Sequence, residues 1–120
     1  MRSDITEHAI QLQIIEYLKL QFPAFYCWRN NSGAYQTQKG HYVQFGKKGS
    51  ADIIGISPDG RFVALEVKKP GEKPKEHQKE FLEEILTRGG IAGVVTSIED
   101  VKLLLFPLIE VKAPDFSEAP

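Results

Sequence analysis

The run from Gly49 to Lys68 reads as two apolar strands closed by a turn, and it constrains the chain more than any other stretch. Pro58 suits the second position of a type I turn, Asp59 the third, and Gly60 the left-handed residue that follows, as in a three-residue hairpin loop closed by a glycine bulge. With the turn fixed, Ser57 faces Arg61. Alternation then sets Ile56 against Phe62, Ile54 against Ala64, Asp52 against Glu66 and Ser50 against Lys68, all on one face. An apolar ladder becomes a charged one at the hairpin's open end. Both strands are apolar on their two faces, which predicts central strands covered by helices.

Two opposed carboxylates with Cβ atoms roughly 5 Å apart repel, and they destabilise the pairing unless a positive charge lies between them. A divalent cation meets that need. Mg²⁺ takes oxygen ligands at about 2.0–2.1 Å and is commonly held by one or two carboxylates, water and substrate phosphates. Lys68, beyond Glu66 on the same face, is placed to reach an anionic substrate held by such an ion. The alternative is a pair of solvated acids with a lysine stem covering the strand edge, and a one-residue register slip would part the acids. The hairpin alone leaves both readings open.

The chain of 120 residues predicts a single domain over 1–112 with a flexible tail at 113–120. The formal net charge of −1 favours no class of partner, but its distribution is uneven. No acidic residue falls between Glu16 and Asp52, whereas Lys19, Arg29, Lys39, Lys47 and Lys48 do, with His41 among them. A cationic block beside a candidate metal site suits a polyanion such as nucleic acid; the alternative is chance clustering on a solvated surface. The lone Cys27 sits in an apolar stretch and reads as a buried hydrophobe. With no signal peptide and no run long enough to span a membrane, the expected compartment is the cytoplasm. His8, His41 and His77 fall on different elements without metal-ligand spacing, and no Ser-His-Asp or thiol centre is evident.

Asp4-Ile5-Thr6-Glu7 has the form of a capping box opening a helix to about Gln21, ended by Pro23. Ile10, Ile14, Tyr17 and Leu18 form its inner stripe, which Glu7 and Gln11 continue, so Glu7 is either the reciprocal cap onto Asp4 or a group aimed at the packed surface. Phe25–Trp28 reads as a strand, and Arg29-Asn30-Asn31-Ser32-Gly33 as a polar loop able to line a phosphate path or simply to turn. Tyr42–Phe45 is a short strand, and Gly46–Gly49 a basic turn into the hairpin. Pro74 is expected at the first position of a helix to about Arg88, ended by Gly89-Gly90, with Gln78, Phe81, Leu82 and Ile85 inward. Gln78 either approaches the charged end of the hairpin or caps nearby backbone. Ile91–Thr96 follows a helical crossover and should run parallel to Arg61–Lys68 with right-handed connection. Ser97, with Asp100, caps a last helix through Leu104. The fold class is α/β: a mixed central sheet flanked by helices, in the order helix, three strands, helix, strand, helix.

Asp52 and Glu66-Val67-Lys68 on this frame resemble the PD-(D/E)XK nuclease superfamily, with its restriction-endonuclease-like core. The details resemble the virus-type replication-repair nuclease branch, VRR-NUC. The matching segments are Thr6-Glu7, Trp28–Gly33, Gly49–Asp52, Phe62–Lys68, Gln78 and Gly89–Ala92, from Thr6 to about Leu104. The resemblance implies that Asp52, Glu66 and the backbone carbonyl of Val67 bind Mg²⁺ or Mn²⁺. It implies that Lys68 orients the attacking water or stabilises charge on the phosphate, and that Glu7, also a possible metal ligand, and Gln78 complete the site. Ala51 departs from the proline of the superfamily name, at a position that carries no catalytic group.

The function so implied is a metal-dependent DNA endonuclease, structure-selective on branched DNA such as flaps or four-way junctions, acting as a homodimer in a bacterial or phage-type setting. Arg29, Asn30, Asn31, Ser32, Lys47 and Lys48 are the expected nucleic-acid contacts. The rivals are a DNA-binding module of the same fold that does not cut, and a small interaction protein that binds no nucleic acid.

Overall fold

The computed structural model describes residues 5–109. Three helices and six strands run in the order α1 (Glu7–Gln21), β1 (Tyr26–Arg29), β2 (Gly33–Gln36), β3 (Tyr42–Phe45), β4 (Ile53–Ile56), β5 (Phe62–Val67), α2 (Glu76–Thr87), β6 (Ile91–Val95) and α3 (Ile98–Ile109). The main sheet has strand order β1-β4-β5-β6, while β2 and β3 form a separate two-stranded ribbon. The β5–β6 pair is parallel, as a crossover through α2 requires, and the other pairs are antiparallel.

The hairpin closes as the turn chemistry demands. Gly60 has φ 86°, its N–H donates to Ser57 O at 2.9 Å, and Ser57 N–H donates to Arg61 O at 2.8 Å. The register follows: Ile56 pairs with Phe62, Ile54 with Ala64 and Ile53 with Leu65. The ladder is shorter than expected, because β4 begins only at Ile53. Ser50 does not pair with Lys68; its hydroxyl donates to Lys47 O at 2.6 Å and accepts from Asn30 Nδ2 at 2.7 Å.

Each face of the sheet has its own core. Ile53, Val63, Leu65, Val67, Ile91 and Val95 pack with Ile10, Ile14 and Leu18 of α1 and Val101 and Leu105 of α3. Ala51, Ala64 and Ala92 pack under Leu82 on the opposite face, with Phe81 and Ile85 of α2 alongside. Asp52 and Glu66 share the phase of Ile54 and Ala64, so they belong to the α2 side. The small alanines there let α2 approach the sheet closely.

Two helix starts differ from expectation. Thr6 is the N-cap of α1, its hydroxyl accepting from Ala9 N–H at 3.0 Å, so Glu7 is the first helical residue and not the reciprocal arm of a box. The expected cap at Asp4, like the expected tail, lies outside the described residues. Lys75 is the N-cap position of α2, which puts Pro74 just before the helix. Lysine offers no side-chain acceptor, so the cap comes from within the helix: Gln78 Oε1 accepts from Lys75 N–H at 2.8 Å. Ser97 caps α3 as expected, accepting from Asp100 N–H at 3.3 Å.

The faces of α1 predict its energetics. Ile14→Ala should cost about 2–5 kcal/mol, because it empties a wholly buried position. Leu20→Ala, on the exposed face of the same helix, should stay within about 0.5 kcal/mol. Urea denaturation of both variants checks the orientation of α1.

Candidate active site

The chemistry-bearing residues meet where β4 and β5 part. Val67 N–H donates to Asp52 Oδ2 at 2.8 Å, so a side chain occupies the rung at which a β4 carbonyl would otherwise accept. That displaced carbonyl, of Ala51, accepts instead from Asn30 Nδ2 at 3.0 Å, and Asp52 O accepts from Asn30 N–H at 2.7 Å. Asn30 thus clamps the backbone on both sides of the Asp52 side chain. Lys68 N–H donates to Val95 O at 3.0 Å, toward β6. By alternation the carbonyl of Val67 faces the same side as its N–H, into the opening beside Asp52.

Glu66 is 2% exposed and Lys68 8%, a depth that charged side chains reach only when partnered. Lys68 Nζ stands 3.7 Å from Glu66 Oε2, an ion-pair separation longer than a good hydrogen bond. Burial pushes the Glu66 carboxyl up to about 8, and the Asp52 carboxylate beside it adds to the rise; Lys68 offsets only part of it. Glu7 reaches the same cluster from the start of α1. Burial raises its carboxyl above the ordinary value, as does contact with the carboxyl of Glu72. Glu72 Oε1 accepts from Lys69 N–H at 2.9 Å, and that bond, then Glu7, holds the Glu72 carboxyl below its usual range.

Beside the cluster lies a cleft of about 310 Å³. It is lined by Asp52 and Ser50, by Gln78 and His77 of α2, by Lys48 and Gly49 of the basic turn, and by Gln44 and Phe45 of the ribbon. Gly49 has φ 82°, and a Cβ there would come within 2.6 Å of His77 O, so only glycine lets the basic turn lie against α2.

The structure therefore brings Asp52, Glu66, Val67, Lys68 and Glu7 together. Gln78 reaches the cleft, with its Oε1 engaged in capping. Lys48 and Ser32 line the cleft, Arg29 and Asn31 are exposed nearby in sequence, and Lys47 faces the neighbouring hollow along α2. Among the described residues, no group of three or more His, Cys, Asp or Glu side chains is disposed to hold a metal ion. Two carboxylates and a backbone carbonyl form a different donor set, one of hard oxygens that leaves positions for water and phosphate.

The model of the VRR-NUC domain family matches residues 5–99. The chain belongs to the VRR-NUC family. A solved structure described as a VRR-NUC domain protein superposes with a TM-score of 0.65 at 22% identity, covering 94% of this chain and 95% of that one, which shows the shared fold. No curated protein matches the chain. VRR-NUC is a nuclease-type domain family.

Some groups around this cluster and cleft were not legible as neighbours in the sequence. Glu72 lies in the Lys69–Pro74 breaker, where no spacing ties it to Glu7. Phe45 and His77 reach the cleft only because the ribbon and the basic turn fold back on α2. The density of Asn, Ser and Gly around Asn30 signalled a special loop, but not that Asn30 would brace Asp52.

The raised acid makes the metal-free VRR-NUC domain pH-sensitive. Between the ordinary value of 4.5 and about 8, folded Glu66 holds a proton that the unfolded chain releases. Stability from this group is full below the lower value and is lost as pH rises through the upper one, at a slope approaching 1.4 kcal/mol per pH unit, to order of magnitude. Melting temperatures in EDTA should fall across that window for the parent and stay flatter for Glu66→Gln.

Proposed function

We propose that the chain is a Mg²⁺- or Mn²⁺-dependent endonuclease that cuts DNA phosphodiester bonds, selectively on branched DNA such as flaps or four-way junctions. The observation that carries this reading is the convergence of Asp52, Glu66 and Lys68 where β4 and β5 end, with Asp52 also lining the neighbouring cleft that the basic turn borders. Asp52, Glu66 and the Val67 carbonyl would hold the cation, with Glu7 next to them. A cation bound there supplies Lewis acidity toward water and toward a phosphoryl oxygen. The chain's own groups do the rest. Asp52 is held in place through Oδ2 by Val67 N–H. Lys68, anchored beside Glu66, presents a positive charge where negative charge grows on the phosphate. Gln78 and Lys48, which both line the cleft, would position the backbone of the bound strand.

The donor set fits a cation on the evidence of Glu66 itself. A buried acid pressed by Asp52 into holding a proton is stabilised when a divalent charge replaces that proton. We extend the proposal to a two-fold homodimer, as a single small domain offers little surface to hold a junction; a solution mass of one chain would count against it.

Asp52→Asn, Glu66→Gln and Lys68→Ala should each abolish most cleavage of labelled duplex, flap, fork and junction DNA in Mg²⁺ or Mn²⁺ while leaving the fold intact. In the same variants Mn²⁺ should raise the melting temperature of the parent and of Lys68→Ala, but little that of the two acid variants. Parent-like cutting by a variant would remove that residue from the centre. DNA that binds but is never cut would favour the non-cutting module.

Arg29, Lys47 and Lys48 are assigned to phosphates, not bases. The triple alanine variant should bind DNA more weakly with little regard to sequence, and its log affinity should fall less steeply with log salt, by about one unit per lost contact. Titrations at several salt concentrations in Ca²⁺ measure this, and an unchanged slope would place the DNA path elsewhere.

A further inference from the structure

Segment 30–52 leaves the main sheet beside the Arg29–Ile53 pair and returns there, so the β2–β3 ribbon stands at the end of the sheet that holds Asp52. A lone two-stranded ribbon is marginally stable in water. This one leaves its rings in solvent: Tyr35 is 55% exposed, Tyr42 77% and Phe45 40%. The register pairs Gly33 with Phe45 and Tyr35 with Val43, which by alternation puts Tyr35 and Phe45 on one face. Their ring centroids are 6.3 Å apart with the planes tilted by 42°. Phe45 lies over Gly33, where an added Cβ would meet the ring at 3.1 Å. The aromatic surface therefore begins at the cleft, where Phe45 and Asp52 are both wall residues, and continues outward through Tyr35.

Charge narrows what can cover this face. From Glu16 to Asp52 the intervening chain has no acid, and Lys39, Lys47 and Lys48 lie in the ribbon and its return. The phosphates of a continuous duplex would use the lysines and leave the rings idle, because its bases are already stacked. Unpaired nucleotides use both, since any base offers a π face and its backbone supplies the anions. We propose that the Tyr35–Phe45 face stacks on unpaired bases beside the scissile phosphate, so that the preferred substrate is DNA in which pairing is interrupted, as at a flap or fork. This inference rests on the nuclease reading above.

The test measures affinity in Ca²⁺ for a flap DNA and, by competition, for relaxed closed-circular duplex, which has neither ends nor unpaired bases. The proteins are the parent, the Tyr35→Leu/Phe45→Leu double variant and Tyr35→Trp. Leucine keeps apolar packing over Gly33 but has no π face, and the exposed position of Tyr35 tolerates either replacement. The parent should prefer the flap. The double variant should lose about 5- to 150-fold on the flap, the range of one stacked base, and keep its affinity for the circle, whereas Tyr35→Trp should keep the preference. Equal losses on both DNAs, or no loss on the flap, would overturn stacking and leave the nuclease reading standing. A parent that binds neither DNA would overturn that reading and the inference with it.

Discussion

The hydrogen bond from Val67 N–H to Asp52 Oδ2 marks the point at which the hairpin ceases to be scaffold and becomes a site. Through Leu65, β5 is paired with β4 backbone to backbone. At the next rung a carboxylate substitutes, Asn30 takes up the vacated carbonyl, and the strands separate. The separation turns oxygen atoms toward one opening without leaving a buried polar side chain unpartnered, and among the described residues none is. A longer ladder would be a more regular sheet, with nothing to offer a ligand.

The cluster sacrifices stability in the resting protein. Glu66 is enclosed by strands and by the α2 face, faces Asp52 across the opening, and receives incomplete compensation from Lys68. Such an arrangement is costly as structure and useful as a trap for positive charge. The helices ease part of the burden. Glu7 is the first residue of α1 and Gln78 lies in the first turn of α2, so two positive helix ends approach the acids. Loss of the acids should therefore be tolerated by the fold better than loss of the residues that buttress them.

Much of this was legible in the sequence because it follows from local chemistry. Pro58-Asp59-Gly60 allowed one turn, and that turn set the register from Ile56–Phe62 to Ile53–Leu65; the ladder stops one rung short of the expected Asp52–Glu66 pair, where the Asp52 side chain takes the Val67 N–H instead. The bounds of Tyr42–Phe45 and the parallel β6 were also readable, from alternation and from the crossover. What escaped depends on competition between side chain and backbone. Alternation cannot reveal that Asp52 will displace a backbone acceptor, nor that Asn30 will compensate. The N-cap of α1 fell to Thr6 because its hydroxyl could serve Ala9 without a box. Gly33–Gln36 was hidden as a strand: two of its residues are glycine and alanine, and its partner β3 supplies most of the bulk.

The position of β5 also decides how the molecule opens. It lies between β4 and β6, its residues from Val63 to Val67 buried on both faces. Its amides therefore belong to the slowest-exchanging set and yield only when the whole sheet does. The ribbon's strands pair only with each other, so its amides should exchange through an opening of their own. The residues around the cleft thus differ in anchorage: Asp52 stands at the end of a strand of the main sheet, whereas Gln44 and Phe45 belong to a ribbon whose pairing is its own.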